Sequence, residues 1–261
     1  IGTNQVDAGT MQIGDMMAFL QYATEILMSF MIIAMIFIMI PRSSVSANRI
    51  FEILETEPTI HDPVEPKHLP KENVPITFDH VSFKYANAEE NVLEDIHFTA
   101  NPEETVAFIG STGSGKTTLV NLLPRFFDVT EGAIRFGDID IRDVSQKELR
   151  NRIGYVPQKG ILFSGTIESN LRYADENLSD EKMEEALTIS QAKEFVDRMP
   201  NGLNEPIAQG GTNVSGGQKQ RLSIARALAK DAQVYIFDDT FSALDYATDA
   251  KLRTALAGLI A

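Results

Sequence analysis

"TVAFIGSTGSGKTTLVNLLPRFF", Thr105 to Phe127, runs from a short apolar stretch through a glycine loop into a helical pattern. Thr105 to Ile109 predicts a strand, and Gly110 to Thr117 fits the spacing G-x-x-x-x-G-K-[ST] in the strand, loop and helix context that this motif requires. Gly110, Gly113 and Gly115 let the backbone turn so that N–H groups of the loop, through Ser111, Thr112 and Ser114, point at phosphate oxygens. The helix N-terminus carrying Thr118 adds a favourable dipole. Lys116 is expected to reach the β and γ phosphates and Thr117 to ligate Mg2+.

Working outward, "QVYIFDD", Gln233 to Asp239, is an apolar run ending in two carboxylates. It predicts a buried strand whose Asp238 holds Mg2+ through water opposite Thr117. Asp239 then needs a job or a counter-ion, because a charge at the end of a buried strand is costly without one.

Toward the N-terminus, Met16 to Ile40 is almost wholly apolar. As a helix it is about 37 Å long, enough to cross a hydrocarbon core of about 30 Å with tilt. No Lys or Arg precedes Arg42, whereas Arg42 and Arg49 follow the span and Asp7 and Asp15 precede it, so the C-terminal end is expected in the cytoplasm. Glu25 inside the span faces either a helix bundle or water-filled path, where it serves substrate or coupling, or the outer end as a protonated or snorkelling carboxylate. Seven of the nine Met residues fall between Met11 and Met39 and read as packing filler. After Pro41, Val45, Ile50, Ile53 and Leu54 share one side of a helical extension.

These patterns predict a transmembrane helix with its cytoplasmic extension over 1–57 and a proline-punctuated linker over 58–75. An α/β domain follows over 76–261, with an antiparallel flank from "ITFDHVSFKY" and "NVLEDIHFTA". The chain opens on Ile1 and stops in an alanine-rich helical pattern at Ala261, which reads as a possible fragment. With 37 acidic against 23 basic residues and a net charge of -14, a broad basic face for nucleic acid is not expected. The absence of cysteine excludes disulfides and thiolate zinc sites. His61, His68, His80 and His97 show no ligand spacing, so a metal is expected on oxygens.

"NVSGGQKQRLSIARAL", Asn213 to Leu228, narrows the class, since Ser215, Gly216, Gly217 and Gln218 at a helix start form a second anion site. The string resembles the signature motif of ABC ATPases, P-loop NTPases with a helical subdomain, and the whole chain is similar to the last transmembrane helix and most of the nucleotide-binding domain of an ABC exporter with fused parts. That resemblance implies ATP and Mg2+ as cofactors and a second half-transporter whose phosphate loop faces Ser215 to Gln218. It also implies a membrane lipid environment, an exported substrate of unknown identity, and a cytoplasmic nucleotide domain in a multi-pass membrane protein. Tyr85 in "FKYANA" resembles the aromatic that stacks on adenine, Gln158 in "IGYVPQ" the glutamine that meets Mg2+, and Asp245 in "SALD" the loop that crosses the dimer interface.

Two departures sharpen the expectation. The family's switch histidine would lie beyond Ala261, and its other membrane helices are absent, so these residues alone form no translocation path. The residue after the magnesium aspartate is usually Glu, which orients or deprotonates the attacking water; Asp239 is one methylene shorter, and a misplacement of about 1 Å costs on the order of 100-fold. "FDDTFSALD" with "AQGGTNVSGGQ", where Gln209 stands in place of a common Glu, is similar to the degenerate subunit of heterodimeric exporters. Slow hydrolysis in this pocket is therefore expected. The alternatives are a homodimeric exporter with Asp239 as base, a nucleotide-binding fragment without turnover, and a soluble chromosome-maintenance ATPase, the last opposed by Met16 to Ile40.

Overall fold

A computed structural model describes residues 2–86 and 88–260; Ile1, Asn87 and Ala261 lie outside the described residues. The chain divides into two compact units, 1–59 and 60–261.

The first unit holds α1 (Gly2–Asp7) and the 42-residue α2 (Ile13–Leu54). α2 starts at Gln12, whose backbone N–H donates to Asp15 Oδ2 at 3.3 Å while its carbonyl accepts from Asp15 N–H at 3.1 Å. It is long and apolar enough to cross a membrane, and none of its residues is buried. Pro41 removes one backbone donor, yet the helix continues through it to Leu54, so the apolar span and the amphipathic extension are one element.

In the second unit the proline-punctuated segment packs down from Ile60 onward. Lys67 bridges in parallel to Val144 and its ammonium meets Asp143 at 2.8 Å, while Leu69 is buried. The sheet that follows has the order β2-β1-β3-β4, built from β1 (Ile76–Phe83), β2 (Leu93–Ala100), β3 (Glu131–Phe136) and β4 (Ile139–Asp140), all antiparallel. Phe78, Val81 and Phe83 of β1 turn to the core, against Leu119 and Leu122 of α3 (Lys116–Leu122) and Leu149 of α4 (Gln146–Asn151). The same core takes Ile153 from β5 (Ile153–Val156).

A helical part follows: β6 (Gly165–Thr166), α5 (Ile167–Arg172), α6 (Asp180–Ile189), α7 (Lys193–Val196) and β7 (Pro206–Ile207), which pairs with β6. Its core joins Ile167, Leu171, Met183 and Leu187 to Leu222 and Ile224 of α8 (Gly216–Leu228). The chain then forms β8 (Val234–Phe237), parallel to β5, and α9 (Tyr246–Ile260). This is the expected α/β P-loop architecture with an antiparallel flank and a helical part.

One expected strand does not form. Thr105–Ile109 is exposed and carries no ladder, with Ile109 97% exposed. An apolar run becomes a strand only where a neighbour supplies hydrogen bonds and cover. β8 pairs with β5, and the ring of Phe108 meets Phe98 edge-on at 5.1 Å, outside any sheet pairing.

Candidate functional site

The glycine loop enters α3 at Gly115, whose φ of 88° is left-handed; a Cβ there would stand 2.9 Å from Leu93. Glycine is therefore required for the turn, and it leaves room for the Leu93 methyl group. Lys116 donates to the carbonyls of Gly110 and Ser111, each at 2.8 Å, so its ammonium lies across the mouth of the loop it belongs to. Incoming phosphate oxygens are stronger acceptors for this ammonium than neutral carbonyls, so Lys116 can transfer its bonds to them.

Thr117 donates its hydroxyl to Asp238 Oδ1 at 2.9 Å. Asp238 is buried at the end of β8, and its backbone N–H is held by the Val156 carbonyl at 3.0 Å. Two hard oxygen donors side by side suit Mg2+, which prefers carboxylate, hydroxyl and water oxygens. The next residue, Asp239, is exposed at φ 44°, ψ 31°, a left-handed conformation that Asp tolerates better than longer side chains. Its carboxylate accepts from Gln158 Nε2 at 3.1 Å. Thus the structure gathers Lys116, Thr117, Asp238, Asp239 and Gln158 into one site, drawn from the loop and from the ends of the parallel pair β5 and β8.

Tyr85 joins this group through α3. Its hydroxyl lies 3.0 Å from Thr118 Oγ1, and its ring meets Phe83 and Phe127 edge-on at 4.9 and 5.3 Å. The ring is thereby fixed beside the loop with part of its surface open.

Ser215, Gly216, Gly217 and Gln218 stand apart from the loop's hydrogen bonds. Ser215 is the N-cap of α8, and a capping box with Gln218 closes the turn. Gly216 has nothing within 4 Å of where a Cβ would stand, while the corresponding point at Gly217 lies 3.8 Å from the Ala243 carbonyl. Asp245, on the loop beyond Ala243, accepts from Thr248 N–H at 3.0 Å and from its hydroxyl at 2.7 Å, which caps α9. These hydrogen bonds hold its carboxyl below the usual range.

Two supporting residues escaped the sequence reading. Gln220 is buried and grips both sides of the Gln158 loop: its Oε1 accepts from Gly160 N–H at 2.8 Å and its Nε2 donates to the Pro157 carbonyl at 3.3 Å. A signal existed, since Gln220 lies on the helical stripe of Ile224 and Ala227, an apolar face where a polar side chain needs partners. Tyr155 on β5 donates to Asn121 Oδ1 at 2.9 Å, which no local pattern reveals.

The arrangement can bind a nucleoside triphosphate with a divalent cation and present a carboxylate to water. Known proteins agree with it. The ABC transporter family model matches residues 93–242. An uncharacterized ABC transporter ATP-binding protein of Mycobacterium tuberculosis is 45% identical over 98% of this chain and 44% of its own length. An ATP-dependent lipid A-core flippase of Desulfotalea psychrophila is 41% identical over 82% of this chain and 37% of its own length. Among solved structures, a bacterial Atm1-family ABC exporter with ATP bound superposes with a TM-score of 0.81 at 29% identity, over 97% of this chain and 44% of that one. The chain thus spans less than half the length of these relatives.

Proposed function

The chain belongs to the ABC transporter family, and on that premise we propose that it is the ATP-binding part of an exporter subunit, with a membrane-spanning α2 and a cytoplasmic nucleotide domain. The observation that carries this reading is the 2.9 Å bond between Thr117 and Asp238, which joins the phosphate loop to the strand-end carboxylate in a chain that also bears a 42-residue helix long and apolar enough to cross a membrane. ATP supplies the phosphoanhydride whose hydrolysis drives transport, with Mg2+ offsetting charge on its phosphates. Lys116 and the loop N–H groups orient the triphosphate, and Thr117 and Asp238 hold the cation. Tyr85 flanks the base.

The partner is a second half-transporter, and we favour a heterodimer. Asp239 is short, and in this structure its carboxylate is engaged by Gln158, so this pocket retains ATP and turns it over slowly. The intact turn of Ser215 to Gln218 completes the partner's faster pocket. In the full-length complex reconstituted in lipid, Asp239→Asn is expected to leave most steady-state ATP turnover, and replacing the partner's corresponding Glu to abolish it. Loss of turnover with Asp239→Asn would instead establish Asp239 as a base and favour the homodimer.

A further inference from the structure

Outside the nucleotide site, β1 and β2 bring together the densest group of metal-ligating side chains among the described residues. β1 departs from regular register between Phe78 and Val81, so Asp79 and His80 stand opposite His97 of β2. A second irregularity between Val81 and Phe83 displaces Asp95. Two residues against one is the signature of a bulge, which re-aims side chains. Gly132 of β3 accommodates it: at φ 77°, a Cβ would stand 2.2 Å from the His80 carbonyl.

The re-aimed side chains converge. The imidazoles of His80 and His97 stack with centroids 4.9 Å apart. One ligand atom each from Asp79, His80 and His97 lies within 4.8 Å of the others. Asp95 Oδ1 meets His80 Nδ1 at 2.5 Å, and a carboxylate on one ring nitrogen fixes the tautomer and raises the basicity of the other. Asp79 turns Oδ1 toward His97, at 3.8 Å, while Arg135 touches Oδ2 at 3.9 Å, so the arginine does not take the oxygen that faces the imidazole.

We propose that Asp79, His80 and His97, with Asp95 orienting His80, form a surface site for a borderline divalent transition metal such as Zn2+, separate from the Mg2+ of the nucleotide pocket. Two imidazoles and a carboxylate are a donor set for Zn2+, whereas Mg2+ and Ca2+ select oxygen alone. Tetrahedral ligands about 2.1 Å from the metal are about 3.4 Å from one another, so the group closes by on the order of 1.4 Å. Exposed side chains reach that by rotation about χ angles, with water in the remaining position.

The test is calorimetric titration of Zn2+ into the untagged full-length protein, purified in detergent, stripped of metal and held in saturating Mg2+. His80→Asn, chosen because Asn tolerates the φ of 48° at this position, and His97→Ala are the variants; His68→Ala, which removes a histidine paired with Glu148 elsewhere, is the control. One Zn2+ per chain is expected, bound about tenfold or more weaker by both variants and unchanged in the control. Equal Zn2+ binding by the unaltered protein and both variants, or no saturable binding at all, overturns the proposal. Melting curves and ATP binding separate loss of a ligand from loss of the fold, and should His80→Asn unfold, His97→Ala decides alone.

Discussion

Tyr155, half-buried on β5, keeps its proton far longer than a free phenol. Burial first, and the negative charge of Asp238 second, push it up to about 12 from 10.0. The sign follows from proton uptake: between those values the folded chain holds the proton and the unfolded chain has lost it, so stability falls as pH rises. The Tyr155 contribution is therefore complete below pH 10 and lost by about pH 12. Tyr155→Phe is expected to lower stability by about 1 kcal/mol at neutral pH, through the lost bond to Asn121, while flattening the decline above pH 10. Denaturant midpoints across that range check it, and an unchanged slope in the variant would sink the assignment. At this scale the phosphate loop was legible because its chemistry is written at fixed local spacing, so Lys116 and Thr117 could be expected together; Asp238, 121 residues from Thr117, was legible as the carboxylate ending an apolar strand, the usual partner of such a loop. The bond from Gln158 to Asp239 was not, because it joins residues 81 apart and depends on how β5 and β8 pair.

Between elements, Gln220 ties α8 to the loop that carries Gln158, holding Gly160 N–H and the Pro157 carbonyl on either side. Any displacement of the Ser215 turn at the start of α8 thus has a direct mechanical route to Gln158 and through it to Asp239. Gln220→Ala takes this partner from two half-buried backbone groups, a loss of about 1 to 3 kcal/mol each at most. A lower melting temperature and reduced ATP turnover in the complex are expected, with Gln220→Glu, which keeps the acceptor for Gly160, retaining more of both. Equal turnover in all three proteins would show that the grip is irrelevant to catalysis. Element type was readable where periodicity and burial coincide, as in β1 and α8, and in α2 from the length of its apolar run, since none of its residues is buried. It failed at Thr105–Ile109, because composition records a preference for cover and not whether a neighbouring strand supplies it. The proline-rich 58–75 segment read as a spacer by composition, yet from Ile60 it is fastened to the nucleotide unit. Arg125 reaches its His61 carbonyl at 3.2 Å, and Asp62 accepts from Gln146 N–H at 2.8 Å. Those partners lie 64 and 84 residues away, beyond any local pattern.

For the whole molecule the question is whether the turn at the start of α8 serves its own nucleotide or a partner's. Ser215 spends its side chain on the capping box, and the space in front of Gly216 is open. Gly216 sits in the first helical turn with nothing within 4 Å of an added Cβ and with a backbone any residue adopts, so Gly216→Ala has no clash to create within this chain. Ala restricts the unfolded chain more than Gly does, and such a change in a helix stabilises by roughly 0.5 to 1 kcal/mol. Within an isolated chain the substitution should thus be neutral or slightly stabilising and leave ATP binding at Lys116 and Thr117 unaltered. In the assembled transporter, where the proposal seats a partner's triphosphate against that open backbone, the same methyl group occupies the space a phosphate needs. ATP turnover should then fall by at least about tenfold, since a misplacement near 1 Å at a reacting group costs on the order of 100-fold. Measuring melting temperature and ATP affinity beside turnover of the complex makes the outcome decisive: full turnover with Gly216→Ala would mean that no nucleotide docks on this turn.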